Sequence, residues 1–169
     1  MSRYYGPHDV SDDLDITTTG LKSRLAREMA MQIVFALDVE GVSRDGLAED
    51  VTAHATATAQ AEGKSQADVH GARRLAALAA KRVWEDREQT DATLERLAPQ
   101  WPPKRMPAVD RAVLRLASWE LLNTPTPPKV VIDEAIEIAR AFSTADSSRF
   151  VNGVLDAILK EREAMIGSL

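Results

Sequence analysis

Apolar residues return every three to four positions through nearly every segment from Leu21 to Leu159, and proline clusters rather than period-two alternation interrupt them. That periodicity is the mark of helices that each bury one face. Leu25, Met29, Ile33 and Leu37 recur at i+4, and Ala26, Ala30 and Ala36 widen the same stripe. Gly41 is expected to end this first helix, with Thr18 or Thr19 capping its start. A shorter helix is expected from about Leu47 to Glu62, stopped by Gly63. A long one follows from Ala67 through Leu75, Leu78 and Val83, and another through Thr90, Leu94 and Leu97 after a break near Arg87.

The segment PQWPPKRMP, Pro99 to Pro107, holds four of the eight prolines. Each proline lacks a backbone donor and disfavours helix in the residue before it, so the segment reads as a connection between two helical halves, 21–98 and 107–165. Three amphipathic helices follow. One runs through Val109, Val113, Leu116 and Leu121, one through Ile132, Ile136 and Phe142, and one through Val151, Val154, Leu155 and Ile158. Pro125, Pro127 and Pro128 separate the first two, and STADSS, Ser143 to Ser148, separates the last two. The fold class is therefore all-α, a single helical bundle of about six or seven helices in two helical halves. Residues 1–20, with Asp9, Asp12, Asp13 and Asp15 against a single Arg3, read as a disordered acidic tail.

Composition removes several kinds of function. There is no cysteine, hence no disulfide, thiolate metal site or cysteine nucleophile. His8, His54 and His70 lie far apart with no metal-ligand spacing, so no metal and no cofactor is expected. No Gly-rich phosphate loop or nucleophile elbow is present, and the chain is not expected to be an enzyme. Asp133, Glu134 and Glu137 near one helix start read as ordinary dipole complements. No apolar stretch approaches the roughly 20 residues that span a bilayer, so a cytoplasmic protein without a membrane partner is expected. A net charge of −5 means that any RNA affinity must come from a local basic patch.

Two places invite a binding role. The stretch LKSRLAR puts Lys22, Arg24 and Arg27 at the start of the first helix, where the macrodipole favours acids. Phosphate contact is one reading; a solvated basic face neutralised by the acidic tail is the other. The stretch SSRFVNGVLD opens the last helix with Ser147 or Asp146 as its expected cap, yet carries the poor helix formers Asn152 and Gly153. Those two read as a close helix contact, with Asn152 satisfying a buried backbone group. Phe150, beside Arg149, is either core, which the residues alone favour, or an exposed ring for stacking on an unpaired base.

Four collinear blocks resemble the NusB family: SRLAREMAMQIVFALD, VDRAVLRLASWELL, KVVIDEAIEIARAF and DSSRFVNGVLDAIL. The resemblance covers roughly Leu21 to Lys160 and is strongest after Pro107. It implies that the two helical halves are two subdomains, and a transcription antitermination factor that pairs with NusE, a small-subunit ribosomal protein. The pair would bind the single-stranded boxA element of ribosomal RNA transcripts within the transcription elongation complex. It further implies RNA contact by Lys22, Arg24 and Arg27, by Phe35 where many members have Tyr, and by Arg149 and Phe150. Asp146, beside them, is implied in contact with the partner. Val42 to Arg74 matches poorly.

Two rivals differ in class. A NusB-like domain also fronts ribosomal RNA cytosine methyltransferases, but no Gly-rich cofactor loop, no attacking Cys and no room after Leu169 are present, so that reading is set aside for the isolated chain. The other is a protein-binding helical scaffold, or a homodimer that hides its basic helix. The tail itself is expected to compete with RNA for Lys22, Arg24 and Arg27.

Overall fold

The structure, a computed structural model, describes residues 14–41 and 43–168. Among them are eight α-helices and one 3₁₀ turn, with no strand. The described residues up to Trp84 form one compact unit and those from Glu85 a second.

The first unit begins with a helix that the sequence reading missed. α1, Ile16–Thr19, is capped by Asp15, whose carboxylate accepts from the Thr17 backbone N–H at 2.9 Å and the Thr17 hydroxyl at 2.7 Å. Ile16 and Leu21 are buried. The acidic tail expected over 1–20 is thereby corrected: Asp15 to Gly20 is a capped turn of helix pinned by two core side chains. Asp9, Asp12 and Asp13, with the proposed competition, lie outside the described residues.

α2, Arg24–Glu40, starts one turn later than expected because Ser23, not Thr18 or Thr19, is its cap, its hydroxyl accepting from the Ala26 N–H at 3.1 Å. Met29, Ala30, Ile33, Val34 and Leu37 bury its inner face. Gly41 ends it with a left-handed φ of +73°, its N–H returning to the Leu37 carbonyl. α3, Leu47–Ala61, packs on α2. Arg44 holds the turn between them, donating to Asp50 at 2.7 Å and Glu40 at 3.3 Å. α4, Gln66–Glu85, joins α3 through Arg73, which donates to the Thr56 hydroxyl at 3.0 Å.

The second unit is built around α6, Ala108–Asn123, whose residues Ala112 to Leu121 are all buried. α5 (Arg87–Leu97), α7 (Pro128–Phe142) and α8 (Ala145–Gly167) pack against it. The division at the proline-rich connection is moved by this packing, because α5 belongs with the helices after it. Arg115 of α6 makes a two-pronged ion pair with Asp91 of α5 at 2.9 and 2.7 Å, and the indole N–H of fully buried Trp119 donates to Asp86 at 3.1 Å. Arg96 of α5 likewise forks onto Glu161 of α8 at 2.6 and 2.7 Å. The connection itself is held by Arg111, which donates to the Pro103 and Met106 carbonyls at 2.9 and 3.1 Å around the 3₁₀ turn Pro103–Arg105. Pro128 stands at the first position of α7, where its missing N–H costs nothing.

Candidate nucleic-acid interface

In the first unit the candidate cations surround a tight turn. The Ser23 N–H bonds to the Leu21 carbonyl at 2.8 Å, enclosing Lys22 at φ +66°. A three-residue turn with a positive φ at its centre is the strained kind, and Lys22 is the one non-glycine among the described residues that adopts it. With Leu21 buried on one side and Ser23 engaged as the cap on the other, the strain leaves the Lys22 side chain in solvent, with no ion pair among the described residues. Arg24 is also exposed. Arg27 is not: only 5% of it is accessible. The expected trio of surface cations is thus two exposed and one buried. Phe35 is half-buried, and an eleven-residue step from Arg24 brings it round to the same face of α2.

In the second unit the start of α8 carries the other candidates. The expected cap, Ser147 or Asp146, is replaced by Thr144, whose hydroxyl accepts from the Ser147 N–H at 3.1 Å. Ser147 does different work. Its hydroxyl donates to a carboxylate oxygen of buried Asp110 at 2.8 Å, while Ser143 and Thr144 hydroxyls lie 2.9 and 3.0 Å from it. This hydroxyl cluster ties the start of α8 to the first turn of α6. A Ser/Thr-rich connector and, 37 residues before Ser147, an acid in the first turn of an earlier helix were the sequence signal, but nothing local says that the two meet. Held by that tie, Asp146 and Arg149 are exposed and Phe150 is half-buried. Asp146 lies in the first turn, where a carboxylate favours the helix dipole. Arg149 has no ion pair among the described residues.

The close-packing reading of Asn152 and Gly153 is overturned. Both are exposed, and a Cβ placed on Gly153 would meet nothing within 4 Å. Of the α7 acids, Glu137 is paired with Arg140 at 2.5 Å. Among the described residues no group of His, Asp or Glu is placed to hold a metal, and no helix is long and apolar enough to cross a membrane.

These features define a small all-helical protein whose candidate sites are exposed cations at two helix starts, accompanied at the start of α8 by the half-buried ring of Phe150. The family model described as the NusB family matches residues 24–160, and the chain belongs to that family. It is 35% identical over 150 residues to the transcription antitermination protein NusB of Symbiobacterium thermophilum, covering 88% of this chain and 95% of that protein. The solved structure of T. maritima NusB superposes with a TM-score of 0.64 at 32% identity, covering 82% of this chain and 90% of that one. The fold is also that of a chain in the crystal structure of antitermination factors NusB and NusE in complex with dsRNA. There the TM-score is 0.62 at 21% identity, with 82% of this chain and 96% of that one covered.

Proposed function

We propose that this chain is a cytoplasmic RNA-binding transcription antitermination factor that pairs with NusE to bind boxA RNA of ribosomal RNA transcripts, as part of the transcription elongation complex. The observation that carries the reading is the pairing of an accessible cation with a partly exposed ring at the start of α8, Arg149 with Phe150; Lys22 and Arg24 add accessible cations at the start of α2, with half-buried Phe35 about three turns further along that helix. Cations supply phosphate neutralisation and half-exposed rings supply stacking, the two terms that hold single-stranded RNA. A related fold solved in complex with NusE and dsRNA supports the pairing with NusE. With a net charge of −5, the chain alone repels a polyanion at long range, so tight binding requires the partner. Solvent-exposed Leu122, Val130 and Phe142 in the second unit supply apolar surface for that partner.

Fluorescence anisotropy of a labelled boxA RNA, titrated with the chain in the presence and absence of NusE, tests the reading. NusE-dependent binding that Arg24→Ala and Phe150→Ala both weaken is the expected result. A heterodimer that binds boxA no better than the chain alone refutes the dependence on NusE. No binding under either condition leaves a protein-binding scaffold or a homodimer, which sedimentation would distinguish by mass.

A further inference from the structure

Gly153 lies in the third turn of α8, where glycine is a poor choice for a helix. Nothing among the described residues calls for it: its surroundings are open, and its backbone takes an ordinary helical conformation without positive φ. Asn152, beside it, is also exposed, and its side chain makes no hydrogen bond within the described residues. Two helix-weakening residues therefore stand side by side on a solvent-facing surface with no return among the described residues. An open helical glycine is not by itself telling, since Gly71 of α4 has equally empty surroundings. What distinguishes Gly153 is its neighbourhood. Arg149 lies one turn before it, exposed and without an ion pair among the described residues, and Phe150 lies three residues before it, half-buried. One turn after it, the carboxylate of Asp156 is compensated by Lys160 at 2.9 Å.

We propose that Gly153 is where the sugar-phosphate strand of a single-stranded RNA crosses α8, closer to the helix than any side chain at that position would permit, with the Asn152 amide hydrogen-bonding to the strand. The occupant follows from charge and shape. For a strand whose base stacks on Phe150 and whose phosphate meets Arg149, the next contact point in helical register is Gly153, one turn after Arg149 on the same exposed stripe. The amide of Asn152 offers both a donor and an acceptor, which suits the 2′-hydroxyl and the phosphate oxygens of such a strand. The inference rests on the RNA-binding reading of this surface.

The test is Gly153→Ala in the full chain, with three measurements: anisotropy of a labelled boxA RNA in the presence of NusE, calorimetric affinity for NusE without RNA, and thermal unfolding. The added methyl is expected to weaken RNA binding about tenfold, because it overpacks a close contact. NusE affinity should be unchanged, and Tm should rise by about 2–4 °C because alanine is the better helix former. Binding by the wild type together with variant RNA affinity within about twofold of it overturns this inference and leaves the RNA reading standing. Loss of NusE affinity overturns it in favour of a protein contact at Gly153, and a lower Tm overturns it too, because the fold itself would then need the glycine. Absence of RNA binding by the wild-type pair brings down the RNA reading, and this inference with it.

Discussion

Burial divides the candidate cations into two kinds, and salt dependence distinguishes them. Lys22, Arg24 and Arg149 are exposed, whereas Arg27 is 5% accessible. Each phosphate neutralised on a single strand contributes about −0.7 to the slope of log affinity against log salt, so three such contacts give about −2.1 from this chain. Between roughly 50 and 200 mM salt that amounts to about an 18-fold loss of affinity; with Arg149→Ala the slope contribution falls to about −1.4 and the loss to about sevenfold. Any cations on NusE add a constant, so the difference between variants is the quantity to measure. Arg27→Ala should behave in the opposite way. Its slope should match the wild type, while removing a buried, long side chain and its interactions should cost about 1–3 kcal/mol, or about 2–12 °C in Tm. The assay is anisotropy at four salt concentrations with NusE present, alongside differential scanning calorimetry of each variant. If Arg27→Ala flattened the slope as much as Arg149→Ala while leaving Tm unchanged, the assignment of cations by burial would be refuted.

Three further outcomes follow from particular contacts. Ser147→Ala strands the buried carboxylate of Asp110 and should cost about 1–3 kcal/mol in urea unfolding; a loss below about 0.3 kcal/mol would show that the tie between α8 and α6 is slack. Truncation through Gly20 removes the buried Ile16 and the Asp15 cap and should cost about 2–4 kcal/mol relative to truncation through Asp13; equal stability of the two truncated chains would contradict the anchoring of α1. Hydrogen bonds from Arg96 hold the Glu161 carboxyl below its ordinary 4.5, so its folded value lies under its unfolded one. The stability it contributes is therefore present above 4.5 and lost as pH falls through the depressed folded value. Carboxyl NMR titration should give a Glu161 midpoint below 4.5 that returns to it in Arg96→Met, and an unchanged midpoint would show that the fork does not persist in solution.

The sequence by itself determined the helices, because apolar spacing and the positions of proline and glycine are local signals. Seven of the eight helices among the described residues were expected, and Gly41 and Gly63 lie at the ends assigned to them. α1 was missed because four residues are too short for a periodic pattern. The caps were misplaced for a related reason. Several hydroxyls stand near each helix start, any of them chemically competent, and only the backbone conformation at Ser23 and Thr144 selects the one that points at free N–H groups. Which cation faces water, and whether Gly153 meets another helix, were not in the chain's local chemistry at all. Arg27 and Arg24 differ by less than one helical turn, and their accessibilities part only in the folded molecule. α5 likewise joins the second unit through Arg115 on Asp91 and Trp119 on Asp86, pairs 24 and 33 residues apart in the chain. Helix formation is decided within a few turns of chain, but accessibility and side-chain partnership are properties of surfaces that meet only in the folded molecule.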